Sequence, residues 1–331
     1  MKRREFITLV GGAAVASPFA VRAQPAGRLR RIGVLMNRPA TDRDSQESFT
    51  AFKQALEKLG WTDGRNVQID HRWGTADAKT LQPAAAELVA LQPEVILASA
   101  TDGLAALRQE TRTIPIVFVS VSDPVGQGFV ASLARPGGNI TGFTAFEFSM
   151  GGKWIQLLKD IAPRVTRVAV LFSPVTAPYY ASFLGPMEAA GRSLGMETIA
   201  VPVREPAAIE DAVKGALGRV PQGGLIAPSD AFTAIHRKQV IALAAQYRLP
   251  AIYAFSFFPA DGGLMSYGID RIDLYRRAAP YVDRILRGEN PGGMAVQQPT
   301  KFELVINLKT AKALGLTIPE TLLISADKVI E

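Results

Sequence analysis

Short runs of consecutive apolar, often β-branched residues alternate along this chain with longer stretches whose apolar positions recur at helical spacing. That alternation of periods predicts strands and helices in turn. Residues 31–36 read as a strand ending at Asn37. Residues 45–59 read as an amphipathic helix with Phe49, Phe52, Leu56 and Leu59 on one face and Gly60 at its end. Residues 67–73, 95–98 and 116–121 read as further strands, separated by helices over 80–91 and 101–111. Elements of this length in this order imply a parallel sheet with helices on both faces.

The pattern then starts again. Helices are predicted over 154–161, 180–194, 209–219 and 231–247, and strands over 168–172, 197–203, 224–227, 251–255 and 263–267. A last helix over 271–288, a strand near 295–298 and a segment over 302–314 return to the first half and cross back. The fold class read from this is α/β, with two doubly wound parallel-sheet lobes. One lobe takes residues 28–145 with 270–294, the other 146–269 with 295–331.

At 331 residues with 48% hydrophobic and 20% charged positions, the chain has apolar material for two cores. The formal charge of +7 draws attention to nucleic acid, but Lys2, Arg3, Arg4 and Arg22 against Glu5 hold three of those charges. The other basic residues are scattered among acidic ones and form no stripe, so no nucleic-acid partner is expected. The absence of cysteine excludes disulfides and thiolate chemistry.

Residues 1–23 read as an export signal. Lys2-Arg3-Arg4 is a charged start, residues 6–20 are mildly apolar, and Val21-Arg22-Ala23 places small residues for cleavage before Gln24. Arg3-Arg4 ahead of Phe6-Ile7 fits a twin-arginine signal. The apolar run is shorter than the ~20 residues that span a bilayer and is broken by Pro18. A periplasmic protein is expected, with the signal removed near Ala23.

Residues 115–143, PIVFVSVSDPVGQGFVASLARPGGNITGF, organise the first half. They read as a buried strand, a helix over 123–134 with Asp123 at the N-cap and Pro124 behind it, a Pro-Gly-Gly turn and a short strand over 140–143. Together with residues 297–319, QQPTKFELVINLKTAKALGLTIP, this run resembles the ABC-transporter substrate-binding family that includes the tryptophan/tyrosine-type binding proteins. The resemblance covers nearly the whole chain after the signal. It implies the type I periplasmic-binding fold, with a hinge of about three strands. It further implies capture of an amino-acid-like solute, aromatic or branched, and delivery to an inner-membrane permease and ATPase complex by a monomer.

In open parallel sheets ligands bind beyond the carboxyl ends of the strands. That rule selects Asn37 with Arg38, residues 99–102 and residues 120–123 in the first lobe. In the second it selects Ser173, Thr176, Ser229, Asp230, residues 253–255 and residues 267–270. The candidate ligand-binding residues are Asn37, Ser99, Thr101, Asp102, Ser120, Asp123, Ser173, Thr176, Ser229, Asp230, Tyr253, Phe255 and Tyr267. Hydroxyls and helix starts suit a carboxylate here, and Tyr253, Phe255 and Tyr267 offer a wall for an apolar body. Thr101, Asp123 and Asp230 are also good helix caps, and any one aromatic could be core.

No phosphate loop, G-x-S-x-G elbow or Ser-x-x-Lys occurs, and His71 and His236 lie in different halves. No cofactor, metal or catalytic group is therefore expected. The other readings of such a scaffold are an α/β enzyme, which would need converging acid and base groups, and a sensory receptor or ligand-sensing regulator.

Overall fold

The chain is described here from a computed structural model covering residues 29–75, 77–145, 150–217 and 222–331. The expected signal at 1–23 lies outside the described residues. No helix among the described residues is long and apolar enough to cross a membrane.

The first lobe is built from β1 (Arg30–Met36), α1 (Arg43–Lys58), β2 (Val67–Trp73), α2 (Ala78–Ala90), β3 (Val95–Ser99), α3 (Ala100–Glu110), β4 (Ile116–Val121) and β5 (Ile140–Thr144). Its strands form one parallel sheet in the order β2-β1-β3-β4-β5. One face of the sheet buries Phe52 and Leu56 of α1, and the other buries Leu81, Leu88, Leu104 and Leu107 of α2 and α3. Burial on both faces is why β3 and β4 are almost uniformly apolar in sequence.

The second lobe holds α4 (Met150–Ile161), β6 (Arg167–Phe172), α5 (Tyr180–Ser193), β7 (Glu197–Pro202), α6 (Ile209–Leu217), β8 (Gly223–Ala227), α7 (Ala231–Ile235), α8 (Arg237–Gln246), β9 (Ala251–Tyr253), α9 (Phe257–Ala260) and β10 (Met265–Ile269). Then α10 (Arg271–Leu286) returns to the first lobe and packs Leu274, Tyr275 and Ala278 into the core beside α1. The chain crosses back to β11 (Phe302–Asn307), α11 (Leu308–Leu314), α12 (Glu320–Ser325) and β12 (Lys328–Ile330). The second sheet runs β12-β11-β10-β9-β8-β6-β7, parallel except that β10 and β11 are antiparallel. Two doubly wound lobes are thus present, with one antiparallel pair that the strand and helix periods did not reveal.

Three local expectations are corrected. The helix expected over 123–134 is a series of turns. Asp123 sits at φ 41°, whereas a cap needs extended backbone, and its carboxylate accepts from Gly126 N at 2.9 Å. Gly128 at φ 67° then bends the chain again. The helix expected over 231–247 is two helices, α7 and α8, meeting at His236. Near 295–298 only Gln297 pairs, in a single bridge to Phe143, with Gln297 N donating to Gly142 O at 2.9 Å.

Gly142 is fixed by that crowding. It has φ 151°, and a Cβ built on it would lie 2.1 Å from Phe118 O and 2.6 Å from Phe118 N. Gly142→Ala is expected to cost about 3 kcal/mol or more, because β4 and β5 must separate. The check is a urea midpoint that falls with the m value unchanged.

Candidate functional site

A cavity of about 40 Å³ lies where the strand ends of both lobes meet. Asn37 and Arg38 follow β1, Ala100, Thr101 and Asp102 open α3, and Ser120 and Ser122 come from the end of β4. From the other lobe come Thr176 and Tyr179 ahead of α5, Ser229 after β8, Ala231 and Ala234 on α7, and Phe255 after β9. Arg271 reaches the cavity from the first residue of α10.

The backbone is specialised at two of these positions. In the β4–β5 ladder, Val119 pairs with Phe143 and Val121 with Thr144, so Ser120 is an extra, bulged residue. It has φ 58°, Ala100 has φ 61°, and the Ser120 hydroxyl is buried with no hydrogen-bond partner among the described residues. Left-handed non-glycine residues cost of order 1–3 kcal/mol each and cluster where function holds them.

A buried relay positions the first-lobe wall. Tyr275 on α10 donates to Ser99 Oγ at 2.6 Å, Ser99 donates to Asn37 Oδ1 at 3.1 Å, and Asn37 Nδ2 donates to Asp102 Oδ1 at 3.2 Å. Asp102 also accepts from Gly103 N at 2.9 Å. Burial pushes the Asp102 carboxyl up to about 7, and neighbouring Asp230 pushes it the same way. Burial raises Asp230 as well, against hydrogen bonds from the Thr176 hydroxyl and from Ser173 N at 2.9 Å. Neither carboxylate has an ion-pair partner among the described residues.

The other end of the site is cationic in its groups and neutral in sum. Arg38, 2% exposed, pairs with Asp42 at 3.0 Å and with Asp44, and its Nε donates to Ser45 Oγ at 3.0 Å. Arg271 pairs with Asp44 at 3.0 Å. Arg237 of the second lobe pairs with Asp42 at 3.2 Å and with Asp261 at 2.7 Å. The Arg38 and Arg237 guanidiniums lie 4.8 and 5.1 Å from the Phe257 ring centre, and Arg271 lies 5.5 Å from that of Phe255. Three cations and three carboxylates thus tie the lobes together across two rings, in the manner of cation–π contacts. Within this network Arg38 Nη1 and Arg271 Nε have no hydrogen-bond partner among the described residues. Burial, and then the charge of Arg271, lowers Arg38 to about 10, which leaves it charged at neutral pH. A buried unmade donor costs about 1–3 kcal/mol, more when charged, unless something in the cavity accepts from it.

Of the residues selected from sequence, Asn37, Thr101, Asp102, Ser120, Thr176, Ser229 and Phe255 line the cavity. Ser99, Ser173 and Asp230 stand one layer back, as supports for Asn37, Thr176 and the loop backbone. Asp123 is held in its own turn. Tyr253 is not a wall of the cavity: it is 1% exposed and stacked on Phe258 at 4.4 Å. Tyr267 stacks on Phe302 at 5.8 Å, because β10 runs on to Ile269 and leaves Tyr267 short of the strand end. Arg271, Tyr179, Ala231 and Ala234 were not selected. Arg271 lies one residue beyond the stretch that the strand-end rule picked out, and Tyr179 one residue before the predicted helix.

Residues 32–330 match the family described as ABC transporter substrate binding protein. A tyrosine-binding protein of Clostridioides difficile strain R20291 is 26% identical over 291 residues, 87% of this chain and 81% of the relative. Among solved structures, a conserved domain protein from Vibrio cholerae is 26% identical with a TM-score of 0.83, covering 91% of this chain and 100% of that one. An ABC domain in complex with L-Trp from Streptococcus pneumoniae is 24% identical with a TM-score of 0.83, covering 92% and 100%. The ligand-free, open structure of a substrate-binding protein with adhesive properties from Clostridium difficile is 26% identical with a TM-score of 0.68, covering 91% and 99%.

Proposed function

The chain belongs to the ABC transporter substrate-binding protein family, and from that premise we propose that it captures an amino-acid-like solute between its lobes and delivers it to an inner-membrane importer. Export to the periplasm through the segment at 1–23 belongs to the same reading. The observation that carries it is the pairing of unmet needs in one cavity. Among the described residues, Arg38 Nη1 is a buried charged donor without an acceptor, and Asp102 is a buried carboxylate without a cation. An α-amino acid offers a carboxylate for the first and an ammonium for the second. Because the Arg38 network is already charge-balanced, its contribution is a charge-assisted hydrogen bond rather than net attraction. The hydroxyls of Thr101, Thr176 and Ser229 complete a site that can hydrate neither group freely.

Closure would turn on the crossings near 268–270 and 295–298, the third expected crossing, at 143–147, lying partly outside the described residues, and Arg237–Asp42 is a contact that opening would break. Binding rather than catalysis fits the family match, and the hydroxyl that touches a carboxylate, Thr176 on Asp230, supports the wall of the cavity.

The test is a stability screen of the purified protein against amino, hydroxy and keto acids. A true solute at ~100 times its Kd should add about 2.7 kcal/mol to unfolding. If no carboxylate-bearing compound stabilises the protein while a neutral sugar does, the reading falls.

A further inference from the structure

Resting on the solute-binding reading, we infer that this chain takes a small hydrophilic solute of the size of glycine, alanine or serine, and excludes the aromatic and branched amino acids. The first observation is size. The cavity of about 40 Å³ compares with ~150 Å³ for an apolar cavity that admits benzene, and ~10–15 Å³ for one that admits a single water. It has room for about three water-sized positions, which suits a carboxylate, an ammonium and a short side chain, and not an indole or phenol.

The second observation is chemistry. Ligand pockets are ordinarily apolar with a few polar groups. Here five serine and threonine residues, Thr101, Ser120, Ser122, Thr176 and Ser229, line the cavity, and among the described residues none of the lining is Leu, Ile, Val or Met. The apolar remainder is small: Ala100, Ala231 and Ala234 with two rings. A larger side chain would have to reach past these small groups onto the hydroxyls and would strip them of water without replacing their hydrogen bonds.

The third is that the two rings are pinned. Tyr179 donates to Ser229 O at 2.9 Å and packs on Tyr180 at 5.1 Å. Phe255 stacks on Phe257 at 5.2 Å, and the Arg271 guanidinium lies 5.5 Å from the centre of its ring. Tyr179 cannot swing aside without losing its bond to Ser229 O, nor Phe255 without losing the Arg271 contact between the lobes. The bulged Ser120, whose hydroxyl has no partner among the described residues, supplies the group that a short polar side chain such as that of serine would meet.

The experiment is titration calorimetry on the full mature chain, freed of carried-over solute, with glycine, L-alanine, L-serine, L-leucine, L-tyrosine and L-tryptophan. At least one of the first three should bind at least a hundredfold more tightly than each of the last three. Tyrosine, tryptophan or leucine binding as tightly as serine would overturn the size inference while leaving amino-acid capture standing. Heat from none of the six would overturn both. Phe255→Ala provides a second arm: it should raise the affinity for leucine relative to serine at least tenfold, and an unchanged ratio would place the side chain elsewhere.

Discussion

Arg38→Met is expected to weaken solute capture severely while leaving a folded protein. The fold survives because each carboxylate in the network keeps a cation: Asp42 retains Arg237 and Asp44 retains Arg271. The apolar stem of methionine can still rest near Phe257, where the guanidinium lay at 4.8 Å. Binding is what suffers, because Nη1 is the buried donor with no partner among the described residues. Truncating one side of a buried, hydrogen-bonded charge pair typically costs about 2–5 kcal/mol of binding. That corresponds to a roughly 30-fold to several-thousand-fold rise in Kd. Arg38→Lys should lose nearly as much, since an ammonium cannot serve Ser45, Asp42, Asp44 and a ligand in one plane. Calorimetric titration with the solute from the stability screen, beside a circular-dichroism melt, separates the two effects. A methionine variant that folds and binds within threefold of wild type would remove Arg38 from the site.

The alternation of periods made the two-lobe architecture readable before any coordinates, and the reason lies in burial. Strands such as β3 and β4 are covered on both faces, so their sequences are nearly all apolar and stand out from the helices around them. The antiparallel β10–β11 pair was invisible to the same reasoning because pairing direction depends on chain crossings and not on local period. The turns at 123–134 misled for a different reason. An Asp-Pro start is a strong helix signal, but Gly126 and Gly128 follow, and the left-handed Asp123 redirects its own carboxylate to Gly126. For the cavity, a strand-end rule is only as good as the strand ends it is given. It placed Thr101, Thr176 and Ser229 among the lining because β3, β6 and β8 stop close to where they were expected. It chose Tyr267 over Arg271 because β10 runs to Ile269. The left-handed Ser120 had no local signature at all, since a bulge is a property of the ladder and not of one strand.

Asp102 should make both stability and solute binding depend on pH, in opposite directions. Burial raises its carboxyl to about 7 in the folded protein, with Asp230 adding to the shift and the amide of Gly103 and side chain of Asn37 opposing it. The groups that face it are thus Asn37 from the end of β1, Gly103 on its own helix, and Asp230 and Tyr179 from the second lobe. In the unfolded chain the same group titrates near ~4. Between these values the folded state holds a proton that the unfolded state has released, so this contribution is fully present below about pH 4 and is lost as pH rises to about 7. The slope is at most about 1.4 kcal/mol per pH unit. Wild type minus Asp102→Asn, measured by urea unfolding at pH 5 and pH 8, isolates it from Asp42 and Asp270, whose lowered values act in the acid range. Binding runs the other way. A solute ammonium beside Asp102 needs the ionised carboxylate, so below pH 7 capture expels a proton and affinity rises up to about tenfold per unit until pH 7, then levels. Calorimetry at pH 6 in two buffers of different protonation enthalpy should register that proton, and Asp102→Asn should bind weakly with no such dependence. Equal affinity at pH 5.5 and 7.5 with no proton released would mean that Asp102 holds no ammonium, and the solute would then be a carboxylate without one.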